Sequence, residues 1–287
     1  MQYLALLLNL ELVDRAVGGA TTDNDFSELP RRYGFEIPSS QQQISSVLDA
    51  SFTADPHDVA MLEIGTNDFI AYPNSLVNKT IGVDRFVEAL SDIVIGQLDQ
   101  LAAAGLDSIL LTNLENFSIL PHYSKAGDFG AGRSTVLKYN ALLETKVSCW
   151  RKTHKALVAM VDMYQMLSIA ASPAISQALG ISNTTGSCID TYKNPALASA
   201  SRAAINDNGE TICTDPSRFF FTDDLHPNER FHRLLGYYSW KLLQEQKRGR
   251  RFDVTTANLL ELIKTFNLDT RAPKPASVEI LPLAMFQ

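Results

Sequence analysis

Cysteine is scarce in this chain, with 3 residues among 287. So few cysteines cannot form a disulfide framework, and their spacing matches no metal-binding motif, so we expect no metal site and no cofactor. Cys188 and Cys213 flank a polar segment rich in glycine, asparagine and serine, and a bridge between them is compatible with the sequence. Such a bridge would add about 3–4 kcal/mol in the chain-entropy model. Cys149 lies on a helical pattern, which predicts a buried free thiol.

Long apolar runs and an excess of positive charge are also missing. No apolar run reaches the roughly 20 residues that a helix needs to cross a bilayer. The net charge of −7 argues against a nucleic-acid partner, because a polyanion repels an acidic surface. The segment 3–8 resembles the apolar part of a signal peptide, but it lacks a preceding basic stretch and a small-residue cleavage site. A buried helix is therefore the favoured interpretation of this segment.

Signals for a secreted protein are indirect. Asn78, Asn116 and Asn183 each begin an N-glycosylation sequon. A single sequon arises easily by chance, but together with the candidate bridge they favour a secreted, extracellular protein. The sequence thus predicts secretion without a clear signal peptide in the chain itself.

Short apolar runs alternate with longer helical patterns along most of the chain. Apolar residues bounded by polar ones predict buried strands, and apolar residues at spacings of three and four predict amphipathic helices. This alternation is typical of an α/β domain with a mostly parallel sheet. We predict strands at 12–17, 58–65, 107–112 and 156–162, and helices at 2–10, 40–52, 84–104, 133–154, 164–179 (interrupted at Pro173) and 228–246.

No domain boundary is visible before residue 247. We therefore predict one domain over residues 1–246 and a C-terminal appendage or tail over 247–287, with a short apolar helix at 257–266. The appendage begins with a basic stretch, for which a solvated tail is favoured over a binding arm.

Asp223 and His226 lie three residues apart in a polar loop before the predicted helix 228–246. An imidazole that is oriented by a carboxylate makes up two thirds of a hydrolytic triad. Pro227 follows the histidine and suits the first turn of a helix, where its missing N–H costs nothing. Alone the motif is weak, because polar loops before helices commonly contain both residue types.

Gly65-Thr-Asn-Asp68 stands where a predicted buried strand ends, which is where open α/β sheets bind their ligands. The side-chain amide of Asn67 could donate a hydrogen bond to a developing oxyanion. Gly19, which ends the predicted strand 12–17, has no Cβ and could present its N–H closely to a substrate. The alternative is that 65–68 form only a turn, in which Asp68 bonds the backbone of its own loop.

In combination and in this order, these motifs resemble those of a known family. Gly65–Asp68 and Asp223–Pro227 look like the third and fifth blocks of the SGNH, or GDSL, hydrolases, and 16–22 looks like the second block. The spacing and the Tyr139-Asn140 helix are similar to fungal secreted acetylesterases and lipase-like members.

The resemblance implies a three-layer α/β/α sandwich and metal-free ester hydrolysis through a serine nucleophile. It makes His226 the general base and Asp223 its orienting carboxylate, and it makes Gly19 and Asn67 the oxyanion donors. The substrate would be a small-molecule or carbohydrate ester, and we expect a monomer. Phe69, Tyr72 and Tyr123 are expected to border the cleft.

The first block of the family, a Gly-Asp-Ser at the end of the first strand, is absent from the sequence. We therefore assign no nucleophile and expect the fold to lack its first strand, which would lie between 12–17 and 58–65. Ser27, Ser39, Ser40 and Ser118 do not stand in a Gly-Asp-Ser setting. The expectation is a truncated gene model or fragment of an esterase, inactive or nearly so as it stands.

Two further interpretations stay open. The chain could be a catalytically dead SGNH-like binding protein that kept the pocket and lost the nucleophile. It could also be an unrelated α/β protein whose motifs coincide by chance. The last interpretation is tested by geometry, because the family requires Gly19, Asn67 and His226 to lie at one cleft.

Overall fold

The structure, a computed structural model, describes residues 1–27, 36–48, 51–72, 76–126, 130–189 and 213–270. Its centre is a parallel three-stranded sheet in the order β1-β2-β3. Every residue of the central strand is buried, as expected for a parallel strand that is covered on both faces. The strands are β1 (Ala60–Leu62), β2 (Ser108–Thr112) and β3 (Leu157–Val161).

Helices cover this sheet and connect its strands. They are α1 (Gln2–Leu8), α2 (Ser40–Val47), α3 (Thr66–Ala71), α4 (Leu76–Ala103), α5 (Pro121–Ala126), α6 (Gly130–Trp150), α7 (Met163–Ala170), α8 (Pro173–Ala178), α9 (Glu229–Lys247) and α10 (Thr256–Phe266). Helices α4 and α6 pack against each other, whereas α9 packs against α1, α10 and β3. The α/β sandwich predicted from the sequence is confirmed.

Helix α4 shows the apolar spacing that predicts helices in this sequence. Its buried side chains recur at spacings of three and four, which places them on one stripe that faces the core. The helix carries one non-helical residue, Gly82, with φ 63° and ψ 168°. It ends before Gly105, whose φ of 91° is a left-handed conformation suited to a helix end. The stripe comprises Phe86, Leu90, Val94, Leu98 and Leu101.

A second, two-stranded parallel sheet was not predicted. It pairs β4 (Asn183–Ser187) with β5 (Phe219–Phe221). Its strand β4 is polar and only partly buried, so it carries no hydrophobic pattern that would reveal it. Beyond the pair, the N–H of Cys188 donates to the carbonyl of Phe221 over 3.0 Å. This small sheet leads directly into the loop that holds Asp223.

The prediction of a strand at 12–17 is wrong. The segment is irregular and largely exposed, and the side chain of Val13 is 59% accessible. A strand needs a partner to take up its N–H and C=O groups, and no strand in the described ranges pairs with this segment. Strand β1 likewise has only β2 as a described partner, so it forms one edge of the three-stranded sheet.

Two predictions about cysteine have different outcomes. The bridge between Cys188 and Cys213 is present, with a Cα–Cα distance of 4.8 Å. Cys149 is a free thiol, but the prediction that it is buried is wrong. Helix α6 turns Leu143, Val147 and Trp150 towards the core, and this leaves position 149 on the solvent side.

Beyond residue 247 the described chain continues as a packed helix. Helix α10 contacts α8 and α9, and its side chains Leu259, Leu262 and Ile263 belong to the same buried cluster as the sheet. The carbonyl groups of Leu268 and Thr270 accept hydrogen bonds from the buried guanidinium of Arg233. Residues 271–287 lie outside the described chain, and the domain division at 246 stays a prediction.

Candidate active site

The loop after β5 holds Asp223 and His226 in a fixed turn. The N–H of Thr222 donates to the carbonyl of His226 over 2.8 Å. One carboxylate oxygen of Asp223 accepts from the N–H groups of Leu225 (2.9 Å) and His226 (2.8 Å). Short Asp-centred turns of this kind fix the backbone locally. The turn places the carboxylate of Asp223 next to the imidazole of His226.

Pro227 does not lie in the first turn of the following helix, which corrects the prediction. It forms an isolated bridge with Phe221, and the side chain of Asn228 caps α9 by accepting from the N–H of Phe231 at 3.1 Å. An asparagine is a preferred cap, so the helix begins one residue later at Glu229.

The imidazole of His226 is oriented as a general base requires. Its Nδ1 lies 2.9 Å from each oxygen of the Asp223 carboxylate. No described residue forms a hydrogen bond with Nε2, and the His226 side chain is 72% exposed. Nδ1 is therefore held by a carboxylate while Nε2 remains available for proton transfer.

The two groups shift each other's pKa. The hydrogen bond to Asp223 raises the pKa of His226, partial burial opposes this, and the charges of Asp223 and Glu115 raise it further. Burial alone would raise the pKa of Asp223, but its bonds to His226 and to backbone N–H groups hold that pKa below its usual value. The pair thus favours an imidazolium beside a carboxylate.

The first turn of α3 clamps the loop that contains Gly19. The side-chain amide of Asn67 donates to the carbonyl of Ala20 over 2.8 Å. The carboxylate of Asp68 reaches beyond its own turn: its oxygens accept from Thr22, at 3.0 Å from the N–H and 2.9 Å from the hydroxyl. Residues 19–22 and 65–68 therefore lie side by side.

This clamp leaves donors available at both predicted oxyanion positions. Gly19 has a φ of 88°, which glycine adopts readily, and its N–H donates to no described residue. Asn67 uses one amide hydrogen for Ala20 and keeps the other. Gly65 has a φ of 111°, and a Cβ there would lie 3.2 Å from Leu114, so glycine is required at the start of the turn.

Sequence reasoning missed a further carboxylate at this edge of the sheet. Glu115 follows β2, and both of its oxygens accept from the hydroxyl of Thr66, at 2.9 and 3.1 Å. Burial raises the pKa of Glu115 to about 7, and the charge of Glu63 adds to this, whereas Thr66 and His226 lower it. A charged residue soon after a buried strand, at the ligand-binding edge, is the signal that could have identified it.

Hydrogen bonds and one electrostatic interaction link the predicted site residues. Gly19 adjoins Ala20, which bonds Asn67, and Thr66 next to Asn67 bonds Glu115. Glu115 interacts electrostatically with His226, which is bound to Asp223. The elements involved are the carboxyl ends of β1, β2 and β5, so the site is assembled from several strands.

Three of the four candidate serines form hydrogen bonds away from His226, and the fourth, Ser27, is buried. The oxygen of Ser39 accepts from the N–H of Gln42 and caps α2, and the hydroxyl of Ser40 donates to the carbonyl of Thr22 at 3.2 Å. The hydroxyl of Ser118 donates to Asn116, and Ser27 is 6% exposed. None of these hydroxyls bonds the imidazole of His226.

The aromatic residues that were expected to border the cleft contribute to the core. Phe69 and Tyr72 are buried against Phe86: the ring of Phe69 meets it edge to face with a centroid distance of 5.2 Å, and the ring of Tyr72 stacks on it at 4.0 Å. Phe69 lies on α3 and Tyr72 directly follows that helix, so both rings pack against a side chain of α4. Tyr123 stacks on Phe117 at 5.3 Å.

Two of the three sequons have described side chains, and they differ in accessibility. Asn116 is buried, and its amide donates to the hydroxyl of Ser168 over 3.0 Å, so this side chain is unavailable for glycosylation in the folded protein. Asn183 is half-buried at the start of β4. The side chain of Asn78 lies outside the description.

The described residues contain neither a metal-type cluster nor a membrane-spanning helix. Within the described ranges, no group of three or more His, Cys, Asp or Glu residues is arranged to hold a metal ion. The same part of the chain contains no helix whose length and hydropathy would let it traverse a bilayer.

The fold and the site together define a class: an α/β protein with an imidazole–carboxylate pair and backbone-supported amide donors at the carboxyl edge of its sheet. Residues 1–238 match the model of the GDSL-like lipase/acylhydrolase family, and the chain belongs to that family. The resemblance drawn from the motifs is confirmed. The family's description is that of enzymes that hydrolyse acyl bonds such as esters.

The chain is also similar to the thermolabile hemolysin of Vibrio parahaemolyticus serotype O3:K6 (strain RIMD 2210633). The two are 24% identical over 249 residues, which covers 85% of this chain and 53% of the hemolysin. The chain therefore spans about half the length of this curated relative.

Proposed function

We propose that this protein is a carboxylic ester hydrolase in which His226 is the general base and Asp223 its orienting carboxylate. The observation that carries the proposal is the bidentate contact of Nδ1 with the carboxylate at 2.9 Å, which leaves Nε2 without a described partner. A neutral imidazole in this setting accepts a proton at Nε2, and the carboxylate stabilises the imidazolium that forms.

The oxyanion donors in this proposal are the N–H of Gly19 and the free amide hydrogen of Asn67. The tetrahedral intermediate of ester hydrolysis carries a negative oxygen, and donors fixed in advance stabilise it without reorganisation. The bond from Asn67 to Ala20 and the pair of bonds from Thr22 to Asp68 fix both donors against each other. The acyl group passes to a serine and then to water, and His226 moves the proton in each step.

The nucleophile is not assigned to any residue of the chain. We therefore propose that residues 1–287 alone hydrolyse esters at or near the background rate. The substrates of the active enzyme would be short-acyl esters or acetyl groups on carbohydrate, and the protein would be a secreted monomer. The disulfide supports secretion, because disulfides persist in oxidising compartments.

Hydrolysis of p-nitrophenyl acetate tests the role of His226. Residues 1–287, His226→Ala and the exposed-site control His57→Ala are compared with buffer, and all three are expected near background. If the coding sequence continues in frame upstream of Met1, the same variants are measured in the extended chain, where His226→Ala should lower kcat at least about 10³-fold and His57→Ala should not. Enzymatic hydrolysis that survives His226→Ala contradicts the proposal.

A fluorophosphonate probe, which reacts with activated serines, tests the nucleophile separately. No serine of residues 1–287 is expected to be labelled. Labelling that disappears in His226→Ala would show that this chain contains its own nucleophile, and it would contradict the proposed inactivity.

The second candidate is a catalytically dead SGNH-like binding protein. The commitment of the hydroxyls of Ser39, Ser40 and Ser118 to other partners favours it, because none can act as a nucleophile without losing its bond. The coding sequence upstream of Met1 distinguishes the candidates. An in-frame Gly-Asp-Ser supports the enzyme, whereas a signal peptide and start codon without that block support the binding protein.

A further inference from the structure

We propose that Asp224 is a positioning residue of the hydrolytic site: its buried carboxylate, held by the hydroxyl of Ser187, anchors the turn that presents Asp223 and His226. The inference rests on the proposed function, because the position of the turn matters to the reaction only if His226 carries the proton. It concerns the residue directly after Asp223, to which the sequence motif gives no role.

Asp224 is buried in a turn that otherwise lies near the surface. It is 1% exposed, whereas the side chains of Asp223 and His226 are 30% and 72% exposed. A carboxyl group is rarely buried unless hydrogen bonds replace the water that it loses. The exposed imidazole receives little support from packing, so its position depends on how the turn is attached to the rest of the protein.

The side chain of Asp224 attaches the turn to the small sheet. The hydroxyl of Ser187, which is the last residue of β4, donates to Oδ1 of Asp224. The two residues are 37 positions apart in the chain. This bond therefore fixes the turn relative to a neighbouring strand, which the hydrogen bonds within the turn cannot do.

The main chain of Asp224 attaches the turn to a second element. Its carbonyl accepts from the N–H of His122 over 2.9 Å. His122 is the second residue of α5, and the first N–H groups of a helix have no partner within that helix. Asp224 thus bonds α5 with its backbone and β4 with its carboxylate. It cannot shift without loss of at least one of these bonds.

The strand end that carries Ser187 is itself fixed beside the turn. Ser187 pairs with Phe221 in the small sheet. The N–H of Cys188 donates to the carbonyl of Phe221 at 3.0 Å, and the N–H of Ile189 donates to the carbonyl of Thr222 at 2.9 Å. Cys188 also belongs to the disulfide bridge. The hydroxyl of Ser187 is therefore a fixed point for the carboxylate of Asp224.

Hydrogen bonds within the turn transmit the position of Asp224 to the catalytic pair. The N–H of Thr222 donates to the carbonyl of His226 at 2.8 Å and closes the turn around Asp224. The residues on either side of Asp224 are also joined, because the carboxylate of Asp223 accepts from the N–H of Leu225 at 2.9 Å. Catalytic groups must be held to within about 0.5 Å. The contact between Nδ1 and the Asp223 carboxylate therefore depends on the anchor at Asp224.

The test is the tautomer of the His226 ring, which NMR reads from the chemical shifts of the two imidazole nitrogens at alkaline pH. The measurement needs no catalytic activity. The contact with Asp223 holds the proton of the neutral ring on Nδ1, whereas a released ring divides it between both nitrogens. We expect Ser187→Ala to lower the ratio of the Nδ1–H form to the Nε2–H form at least about twofold. Asp223→Ala gives the ratio of the fully released ring.

Two further variants separate the anchor from the general effect of a serine substitution. Ser187→Thr keeps the hydroxyl and has a side chain that suits a strand, so it should retain the wild-type ratio. Ser217→Ala is the matched control. The hydroxyl of Ser217 also donates to an aspartate, Asp215, at 2.6 Å, but on the exposed turn before β5. Its removal should leave the ratio for His226 unchanged.

A ratio in Ser187→Ala equal to that in Ser217→Ala overturns the proposal, as does a Ser187→Thr variant that behaves like Ser187→Ala. Failure of the proposed function is a separate result. It would appear as ester hydrolysis that is independent of His226, whatever the tautomer ratios are.

If Ser187→Ala fails to fold, hydrogen exchange in the wild-type chain decides. The amides of His122 and Thr222 donate to the carbonyls of Asp224 and His226. Since the anchor and the turn are proposed to open together, both amides should exchange with the same opening free energy. A Thr222 amide that stays protected while the His122 amide exchanges freely overturns the proposal.

Discussion

The carboxylate of Asp68 accepts hydrogen bonds from both the backbone N–H and the hydroxyl of Thr22, at 3.0 and 2.9 Å. This bond pair spans 46 residues and attaches the loop after Gly19 to the first turn of α3. Asp68 is 1% exposed, and burial raises its pKa to about 7 in spite of these bonds. The buried Asp68 thus fixes the distance between the two predicted oxyanion donors, Gly19 and Asn67.

Asp68→Asn should change how stability depends on pH. Because the folded protein disfavours the charged carboxylate, Asp68 reduces stability as the pH rises above its unfolded pKa, and the loss is complete above about 7. The loss is on the order of 2–4 kcal/mol. Urea unfolding at pH 4.5 and 8 should therefore show a smaller decline in Asp68→Asn than in wild type. Asp84→Asn, an exposed carboxylate, is the control and should behave like wild type.

Asp223→Asn should weaken the protein only within a limited pH window. The pKa of His226 is raised in the folded protein. This residue therefore stabilises the fold fully below its unfolded-state pKa, and the stabilisation is lost as the pH rises through its folded-state pKa. The pKa of Asp223 is lowered in the folded protein, so its contribution to folding stability is lost as the pH falls through its folded-state pKa. Stability measured at pH 5.5 should fall by less than about 1 kcal/mol, since the ring is largely exposed. An equal loss at pH 9 would contradict this explanation.

Gly236→Ala should separate α1 from α9. A Cβ at Gly236 would lie 2.8 Å from the Cβ of Tyr3, closer than two side chains can approach. We expect a loss of about 1–3 kcal/mol and faster amide exchange in residues 2–8. Gly96→Ala is the matched control, because Gly96 also lies in a helix but a Cβ there meets nothing within 4 Å. That variant should gain about 0.5–1 kcal/mol, and a loss in both variants would point to another cause.

Asn140→Ala should be among the most damaging single changes. It leaves the N–H and the carbonyl of Leu114 without partners in a buried setting. Each unsatisfied group costs about 1–3 kcal/mol, so the expected loss of unfolding free energy is about 2–5 kcal/mol. Gln41→Ala, which removes an exposed bond to Gln100, should cost little. Near-equal effects in denaturant unfolding would show that the two bonds of Asn140 are dispensable.

The helices and central strands could be predicted because the apolar residues that they bury recur at regular intervals in the sequence. The apolar stripe of α4 and the fully buried β2 are examples. Strand β2 agrees with its predicted bounds to within one residue, whereas α4 begins eight residues before its predicted start, on the other side of the non-helical Gly82. The pair β4–β5 left no such trace, because β4 consists of small polar residues. The segment 12–17 has strand-like composition but no described partner, and pairing is a property of the fold rather than of local sequence.

The sequence motifs predict the residues of the site, but they do not predict the hydrogen bonds between distant segments. Asp223 and His226 were paired from their spacing, and the structure brings them into contact. The bonds from Asn67 to Ala20 and from Thr22 to Asp68 join segments far apart in the chain, so no local pattern could reveal them. The bond between Glu115 and Thr66, which lies 49 residues earlier, is likewise invisible in the local sequence, although the position of Glu115 soon after a buried strand is not. The catalytic roles of these residues stay predictions.

The bridge between Cys188 and Cys213 has a consequence for engineering this protein. It fixes the two ends of the intervening segment with their Cα atoms 4.8 Å apart, and Cys188 is joined to β5 by backbone hydrogen bonding. We expect a different sequence introduced between the two cysteines to leave the contact between Asp223 and His226 in place, because the bridge holds both cysteines together and Cys188 is bonded to β5.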